Sequence, residues 1–231
     1  MKIKTAICSE IVERIKDQDY YKIVLFGASN TERYMPSVHW GDVLQVGLRT
    51  KFGKYCHVIN SGISGNNTIR ALERFDRDVA AFAPDIVIIT FAGNDCNPAK
   101  LVSIPDFSAN LTKIVANVRA LNAIPVLQTY YKINYADDKT GRAESFDCYM
   151  DAIRDVAIKH DVFLVDQYKY FDALPHDTLI YKMLLNPLHV NESGNIFMGV
   201  NLLYHLGIDP MTVPHNEKLL PAIELYKKIA E

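Results

Sequence analysis

Residues 22–31 read KIVLFGASNT, and this stretch decides the fold. An unbroken apolar run, Ile23 to Phe26, ends at Gly27, a pattern typical of a strand buried on both faces of a parallel sheet. Small and polar residues follow at once, as expected of a tight turn. The stretch therefore predicts a central parallel strand whose carboxyl end opens into an exposed turn.

Four further apolar runs are also predicted to be strands, at residues 56–59, 86–91, 124–127 and 162–165. Between them, apolar residues recur at helical spacing, at residues 40–51, 68–83, 104–121 and 144–160. This alternation predicts an α/β fold in which helices sandwich a parallel sheet.

The chain is expected to form one domain over residues 1–231, because no linker, charge block or repeat divides it. Two additional helices are predicted near its ends. One, at about residues 3–17, has an isoleucine at every fourth position (Ile3, Ile7, Ile11 and Ile15), and the other covers about residues 215–230. We expect both to pack on the domain, with a contact between copies in a homo-oligomer as the alternative.

The composition is that of an ordinary globular domain. The 25 Lys and Arg against 27 Asp and Glu give a net charge of −2, which argues against a nucleic-acid partner because phosphate binding needs a cationic surface. The four cysteines form no C-x-x-C pair, so neither a zinc site nor a disulfide framework is expected. No apolar stretch approaches the roughly 18 residues of a membrane span, and we predict a cytoplasmic protein.

Four polar clusters stand out against this pattern. Residues 27–31, 60–65 and 92–95 come directly after predicted strands, and residues 186–189 open a helical pattern. In parallel sheets ligands bind at the carboxyl ends of the strands, where such loops gather. All four clusters are therefore expected to meet at one rim.

The clusters contain the parts of a serine nucleophile site. Ser29 can attack a carbonyl and His189 can take its proton, while Gly65 and Asn94 can donate hydrogen bonds to the oxyanion that forms. Taken singly, Ser and Asn favour turns and helix caps, and Gly supplies unusual backbone angles. The four together, in order and each at the expected place, indicate catalysis.

These residues resemble the four sequence blocks of the SGNH hydrolases, also called GDSL-type esterases and lipases. The matching segments are Gly27-Ala28-Ser29-Asn30-Thr31, residues 60–65, Gly93-Asn94-Asp95 and Asn186-Pro187-Leu188-His189. The resemblance implies a flavodoxin-like, three-layer α/β/α fold with no cofactor and no metal. It makes Ser29 the nucleophile, His189 the base, and the Ser29 N–H, the Gly65 N–H and the Asn94 side chain the oxyanion hole.

Two positions depart from the family pattern, and both lack a carboxylate. Position 28 is Ala where the family usually has Asp, and position 186 is Asn where the last block usually begins with Asp. In a catalytic triad, the acid that corresponds to position 186 orients the histidine and stabilises its charged form. Changing this acid to its amide costs about 10⁴ in rate in a serine protease. Three interpretations follow: Asn186 orients His189, another acid such as Asp177 takes over, or the site binds ligands without catalysis.

The loop after the fourth strand is expected to overhang the same rim. Its Tyr130 and Tyr131, with Asn30 beside the nucleophile, are predicted to bind substrate; the alternative for the tyrosines is an ordinary loop over a helix end.

The turn after the first predicted strand lacks G-x-G-x-x-G, which argues against a nucleotide-binding Rossmann protein.

The sequence thus predicts a serine esterase that acts on small or short-chain carboxylic esters, with carbohydrate O-acetyl groups among the candidates, through an acyl-Ser29 intermediate. A small-molecule ester is the expected partner. The alternatives are a non-catalytic acyl- or carbohydrate-binding module on the same fold and an O-acyltransferase.

Overall fold

The computed structural model describes residues 8–15, 18–33, 35–53 and 55–230. The strands are β1 (Tyr20–Gly27), β2 (Tyr55–Gly62), β3 (Ile86–Thr90), β4 (Ile124–Gln128) and β5 (Phe163–Val165). They form one sheet in the order β2-β1-β3-β4-β5, and every neighbouring pair is parallel. The predicted parallel sheet is confirmed, with strand boundaries shifted by a few residues.

The helices surround this sheet. They are α1 (Cys8–Ile15), α2 (Trp40–Phe52), α3 (Thr68–Glu73), α4 (Phe75–Asp78), α5 (Ile104–Ala120), α6 (Phe146–Lys159), α7 (Gln167–Asp172), α8 (His176–Thr178), α9 (Glu192–His205) and α10 (Leu220–Ala230). Helix α9 packs against α2 and α10, whereas α5 packs against α3 and α6. These two groups cover opposite faces, as in the flavodoxin-like order 2-1-3-4-5, which confirms the three-layer α/β/α fold.

The core lies on both faces of the sheet. In β1 the side chains from Ile23 to Phe26 are buried, as are all five of β3. Burying a large apolar side chain stabilises the fold by about 1.5–3 kcal/mol, so these central strands contribute much of the stability. Helices α2 and α9 approach closely at Gly199, where a Cβ atom would lie 2.5 Å from Val43 Cβ.

Two predicted helices differ from the structure, and a third is described only in part. The segment predicted at residues 68–83 is broken into α3, α4 and a 3₁₀ turn (Ala80–Phe82). Of the predicted N-terminal helix, residues 3–7 and 16–17 lie outside the described residues. The predicted C-terminal helix is a 3₁₀ turn (Asn216–Lys218) followed by α10. Ile11 of α1 and Ile223 of α10 are buried in the core, so the described parts of both end helices pack on the sheet layers.

The strand order reverses between β1 and β3. The chain leaves β1 towards β2 on one side and returns to β3 on the other, and such a switch point opens a crevice at the carboxyl ends of the strands. Ser29 follows β1 and Asn94 follows β3, so both flank this crevice. Among the described helices, none is sufficiently long and apolar to cross a membrane.

Candidate active site

Ser29 lies on a tight turn directly after β1. The turn closes through two hydrogen bonds to Ala28 O, from Thr31 N (3.0 Å) and Glu32 N (2.9 Å). Gly62, at the end of β2, allows this turn to pack closely, because a Cβ atom there would lie 2.2 Å from Glu32 N. Ser29 is only 9% exposed, so its hydroxyl faces a sheltered site.

His189 contacts the Ser29 hydroxyl from a loop 160 residues further along the chain. Its Nε2 lies 2.9 Å from Ser29 Oγ, and its Nδ1 lies 3.0 Å from Asn186 Oδ1. This is the geometry of a nucleophile, a base and a third group that orients the base. The structure therefore brings together the three residues that the sequence predicted to be catalytic.

The orientation of the Asn186 amide fixes the tautomer of His189. Asn186 Oδ1 accepts hydrogen bonds from the backbone N–H groups of Leu188 (3.0 Å) and His189 (2.9 Å), which can only donate. The atom facing Nδ1 is thus an acceptor, so Nδ1 carries the proton and Nε2 is free to accept one from Ser29. Asp177 lies exposed on α8 and forms no hydrogen bond or ion pair within the described residues. The geometry supports Asn186 as the orienting residue.

Two effects favour the uncharged form of His189. Burial lowers the pKa of His189, and the nearby positive charge of Arg142 lowers it further. Since only a neutral imidazole can accept the Ser29 proton, both effects favour the basic form. Arg142 could not be identified from the sequence, because a lone arginine between predicted elements forms no motif.

The predicted oxyanion donors lie on loops at the same rim. Gly65 has φ +77°, a backbone conformation that favours glycine. Neither the Ser29 N–H nor the Gly65 N–H donates a hydrogen bond to another described residue. Asn94 Nδ2 donates to Asn66 O (2.9 Å) and has a second proton to offer. These three donors can therefore receive an oxyanion.

Arg74, which sequence reasoning also missed, holds these loops together. Its guanidinium donates to Gly27 O (2.8 Å), to Ser61 O (2.9 Å) and to Asn66 Oδ1 (2.8 Å). Arg74 thus joins the ends of β1 and β2 to the residue whose carbonyl positions Asn94. It also lies at the break between α3 and α4, where its backbone leaves the helical conformation.

Asp95 fixes the other side of the Asn94 loop. Its carboxylate accepts hydrogen bonds from Thr68 N (2.8 Å) and Thr68 Oγ1 (2.6 Å) at the start of α3. Burial raises the pKa of Asp95 to about 6. The group therefore links the loops after β2 and β3 rather than facing substrate.

The expectation that Asn30, Tyr130 and Tyr131 bind substrate stays a prediction. All three side chains are buried. The Tyr131 hydroxyl contacts Asn30 Oδ1, donates to Leu188 O (2.7 Å) and accepts from Val190 N (3.1 Å). Tyr131 thus connects the nucleophile turn to the loop that carries His189, and Asn30 also lines the small cavity next to Ser29.

Two cavities border the catalytic residues. One of about 10 Å³, next to Ser29 and His39, has room for roughly one water molecule. The other is an open cleft of about 530 Å³, lined by Asn186, Pro187, Leu188, Arg142 and residues 137–140. Within the described ranges, no group of three or more His, Cys, Asp or Glu side chains is placed to hold a metal ion.

Comparisons with known proteins identify the family of the chain. Residues 25–195 match the family model described as GDSL-like lipase/acylhydrolase. An isoamyl acetate-hydrolyzing esterase 1 homolog of Mus musculus is 27% identical over 209 residues, which are 78% of this chain and 79% of that protein. A Bacillus subtilis protein named as an uncharacterized lipoprotein, YqeF, is 28% identical over 204 residues, or 76% of this chain and 82% of that protein.

Solved structures show the same fold. Axe2, an acetylxylan esterase from Geobacillus stearothermophilus, superposes with a TM-score of 0.71 at 21% identity and covers 82% of this chain and 95% of its own. The family match spans most of the chain, and it includes the nucleophile turn and the loop that carries His189. The chain therefore belongs to the GDSL-like lipase/acylhydrolase family and is a carboxylic ester hydrolase.

Proposed function

We propose that the protein hydrolyses small carboxylic esters through a covalent acyl-Ser29 intermediate. The observation that carries this proposal is the line of contacts from Ser29 Oγ through His189 to Asn186 Oδ1. Each contact has the length and the donor–acceptor order that serine catalysis needs.

In the first step Ser29 Oγ attacks the ester carbonyl while His189 Nε2 takes the hydroxyl proton. The negative charge moves to the carbonyl oxygen, where the N–H groups of Ser29 and Gly65 and the Asn94 amide stabilise it. The bond to the alcohol then breaks, and His189 returns the proton to the departing oxygen. The products of this step are the free alcohol and the acyl-enzyme.

In the second step water attacks the acyl-Ser29 carbonyl. His189 takes a proton from the water and returns it to Ser29 Oγ as the acyl–oxygen bond breaks. The acid leaves and the enzyme is restored. Asn186 holds the imidazole in place throughout but supplies no negative charge.

The named relatives support acetyl esters as the first substrates to test. Two are an isoamyl acetate-hydrolyzing esterase homolog and an acetylxylan esterase. Structures of the latter include catalytic mutants in which a serine, a histidine or an aspartate is replaced by alanine, and that aspartate precedes the histidine by three residues. Asn186 precedes His189 by the same distance, which supports the assigned roles.

The test is covalent labelling with a fluorophosphonate, followed by mass spectrometry, together with hydrolysis of p-nitrophenyl acetate. We expect one adduct on Ser29 and turnover that Ser29→Ala abolishes without loss of the fold by circular dichroism. A folded protein with neither adduct nor turnover contradicts the proposal and supports a binding module. Ester products formed with added alcohols would indicate acyl transfer instead of hydrolysis.

We also propose that the chain forms one domain and acts in the cytoplasm. The relative named as a lipoprotein makes a membrane-anchored location the alternative. Cell fractionation followed by immunoblotting distinguishes the two locations, and light scattering determines whether the protein is a homo-oligomer.

A further inference from the structure

The cleft beside His189 contains a buried cation without a counter-ion. Arg142 is 6% exposed and lines the cleft of about 530 Å³ next to Asn186 and Leu188. Its Nε donates to Gly93 O (2.6 Å) and its Nη1 to Thr140 Oγ1. Its Nη2 has no hydrogen-bond partner, and the guanidinium forms no ion pair, among the described residues.

This arrangement is costly unless a ligand completes it. Burying a charge without a partner destabilises the fold, and a guanidinium pairs best with a carboxylate or a phosphate, which its planar N–H groups can bind side by side. A ligand with such a group would supply the missing counter-charge.

The two acids of the cleft are engaged by their own loop. Asp137 accepts a hydrogen bond from Asn134 Nδ2 (2.8 Å). Asp138 accepts from the backbone N–H groups of Thr140 and Ala143, both at 3.1 Å, and from the Thr140 hydroxyl, which lies between it and Arg142 Nη1. Neither carboxylate lies within ion-pair distance of Arg142, so neither satisfies its charge.

The position of Arg142 assigns it to one part of the substrate. His189 returns its proton to the departing alcohol, so the surface beside His189 contacts the alcohol portion of the ester. We propose that Arg142 binds a carboxylate or phosphate group on the alcohol portion of the substrate. The proposal rests on the proposed function at Ser29 and defines the substrate class as anionic esters.

The test compares two esters that differ in a single charge, 4-acetoxybenzoate and its neutral methyl ester. We expect the native protein to favour the anionic ester at least tenfold in kcat/KM, and Arg142→Gln to bring this ratio close to one. Arg142→Lys should retain an intermediate ratio, since it keeps the charge but loses the planar donors. Because Arg142 also donates a hydrogen bond to Gly93 O, its substitution can slow the hydrolysis of both esters. The ratio of the two kcat/KM values is unaffected by a loss that both esters share.

Two lysine variants control for general charge effects. Lys139→Gln removes the exposed cation of the cleft, and Lys132→Gln removes a cation paired with Asp172 outside it. Both should preserve the ratio. A native ratio of one or less, or a ratio that survives Arg142→Gln, overturns the assignment while leaving the esterase intact. No hydrolysis of either ester and no labelling of Ser29 would instead contradict the proposed function, and the assignment with it.

Discussion

Asn186 occupies the position from which a carboxylate would stabilise the charged imidazole of His189. Asn186→Asp keeps an acceptor for Leu188 N and His189 N and adds a negative charge. We expect kcat/KM for p-nitrophenyl acetate to rise at least tenfold, since the reverse change costs about 10⁴ in a serine protease.

The same substitution has a second readout. A nearby negative charge favours the imidazolium, so the pKa of His189 should rise and the acidic limb of the rate profile should move to higher pH. Asn186→Ser, which brings no charge, serves as the control. An unchanged rate and an unchanged profile in Asn186→Asp would show that Asn186 does not act on His189.

His189 also determines the pH dependence of the native protein. Its pKa is lowered by burial and by Arg142, and the neutral imidazole is the active form. The acidic midpoint of the kcat/KM profile should therefore lie below 6.5, the ordinary pKa of histidine, so activity should be retained at pH values just below 6.5. Arg142→Gln should move this midpoint upward. The measurement is a kcat/KM profile in constant ionic strength buffers, and a midpoint above 6.5 in the native protein would contradict the expectation.

At the scale of elements, Tyr131 determines how the loop with His189 meets the nucleophile turn. Tyr131→Phe keeps the buried ring but removes the contact with Asn30 Oδ1 and the bonds to Leu188 O and Val190 N. We expect kcat to fall about tenfold with a smaller change in KM, and the unfolding free energy to drop by about 1–3 kcal/mol through the lost hydrogen bonds.

Tyr168→Phe is the matched control for this prediction. Its hydroxyl also has internal partners, at Asp147 Oδ1 (2.6 Å) and Tyr135 Oη (3.0 Å), but it does not contact the loops that carry Ser29 and His189. The control should lose stability and retain kcat. Equal effects of the two variants on kcat would show that Tyr131 has only a general structural role.

The elements were predictable from sequence where local patterns determine them. The strands are apolar runs bounded by turn residues, and the burial of β1 and β3 on both faces requires that composition. The break at Arg74 was not predictable, because it accompanies hydrogen bonds to Gly27 O and Ser61 O, which are distant in the chain. Helical spacing continues through the break and gives no sign of it.

In the candidate site too, some residues could be predicted from the sequence and others could not. Ser29, His189 and Asn186 lie in recognisable blocks, and the sheet topology brings them together. The burial of Tyr130 and Tyr131 could not be predicted, because a loop sequence does not reveal which side chains turn inward. Arg142 could not be found because its importance depends on burial and on its distance from charges, which only the folded chain defines.

For the whole molecule, the buried cysteines report on global unfolding. Cys56 and Cys96 are buried in the core, and burial raises the pKa of Cys56 to about 11 and that of Cys96 to about 12, whereas Cys148 is exposed. Iodoacetamide should modify Cys148 rapidly, and Cys56 and Cys96 only at the rate at which the structure opens. Peptide mass spectrometry over a time course measures this, with full labelling in denaturant as the control. Rapid labelling of Cys56 would show that the sheet opens locally.

The contact between Ser29 and His189 has a consequence for the synthesis of the protein. Because the two residues are 160 positions apart, the ribosome completes the nucleophile turn long before it makes the base. A nascent chain that stops before position 189 has every donor of the oxyanion hole but no group to take the serine proton. Esterase activity should therefore emerge only after the ribosome has passed position 189, however early the nucleophile turn has formed.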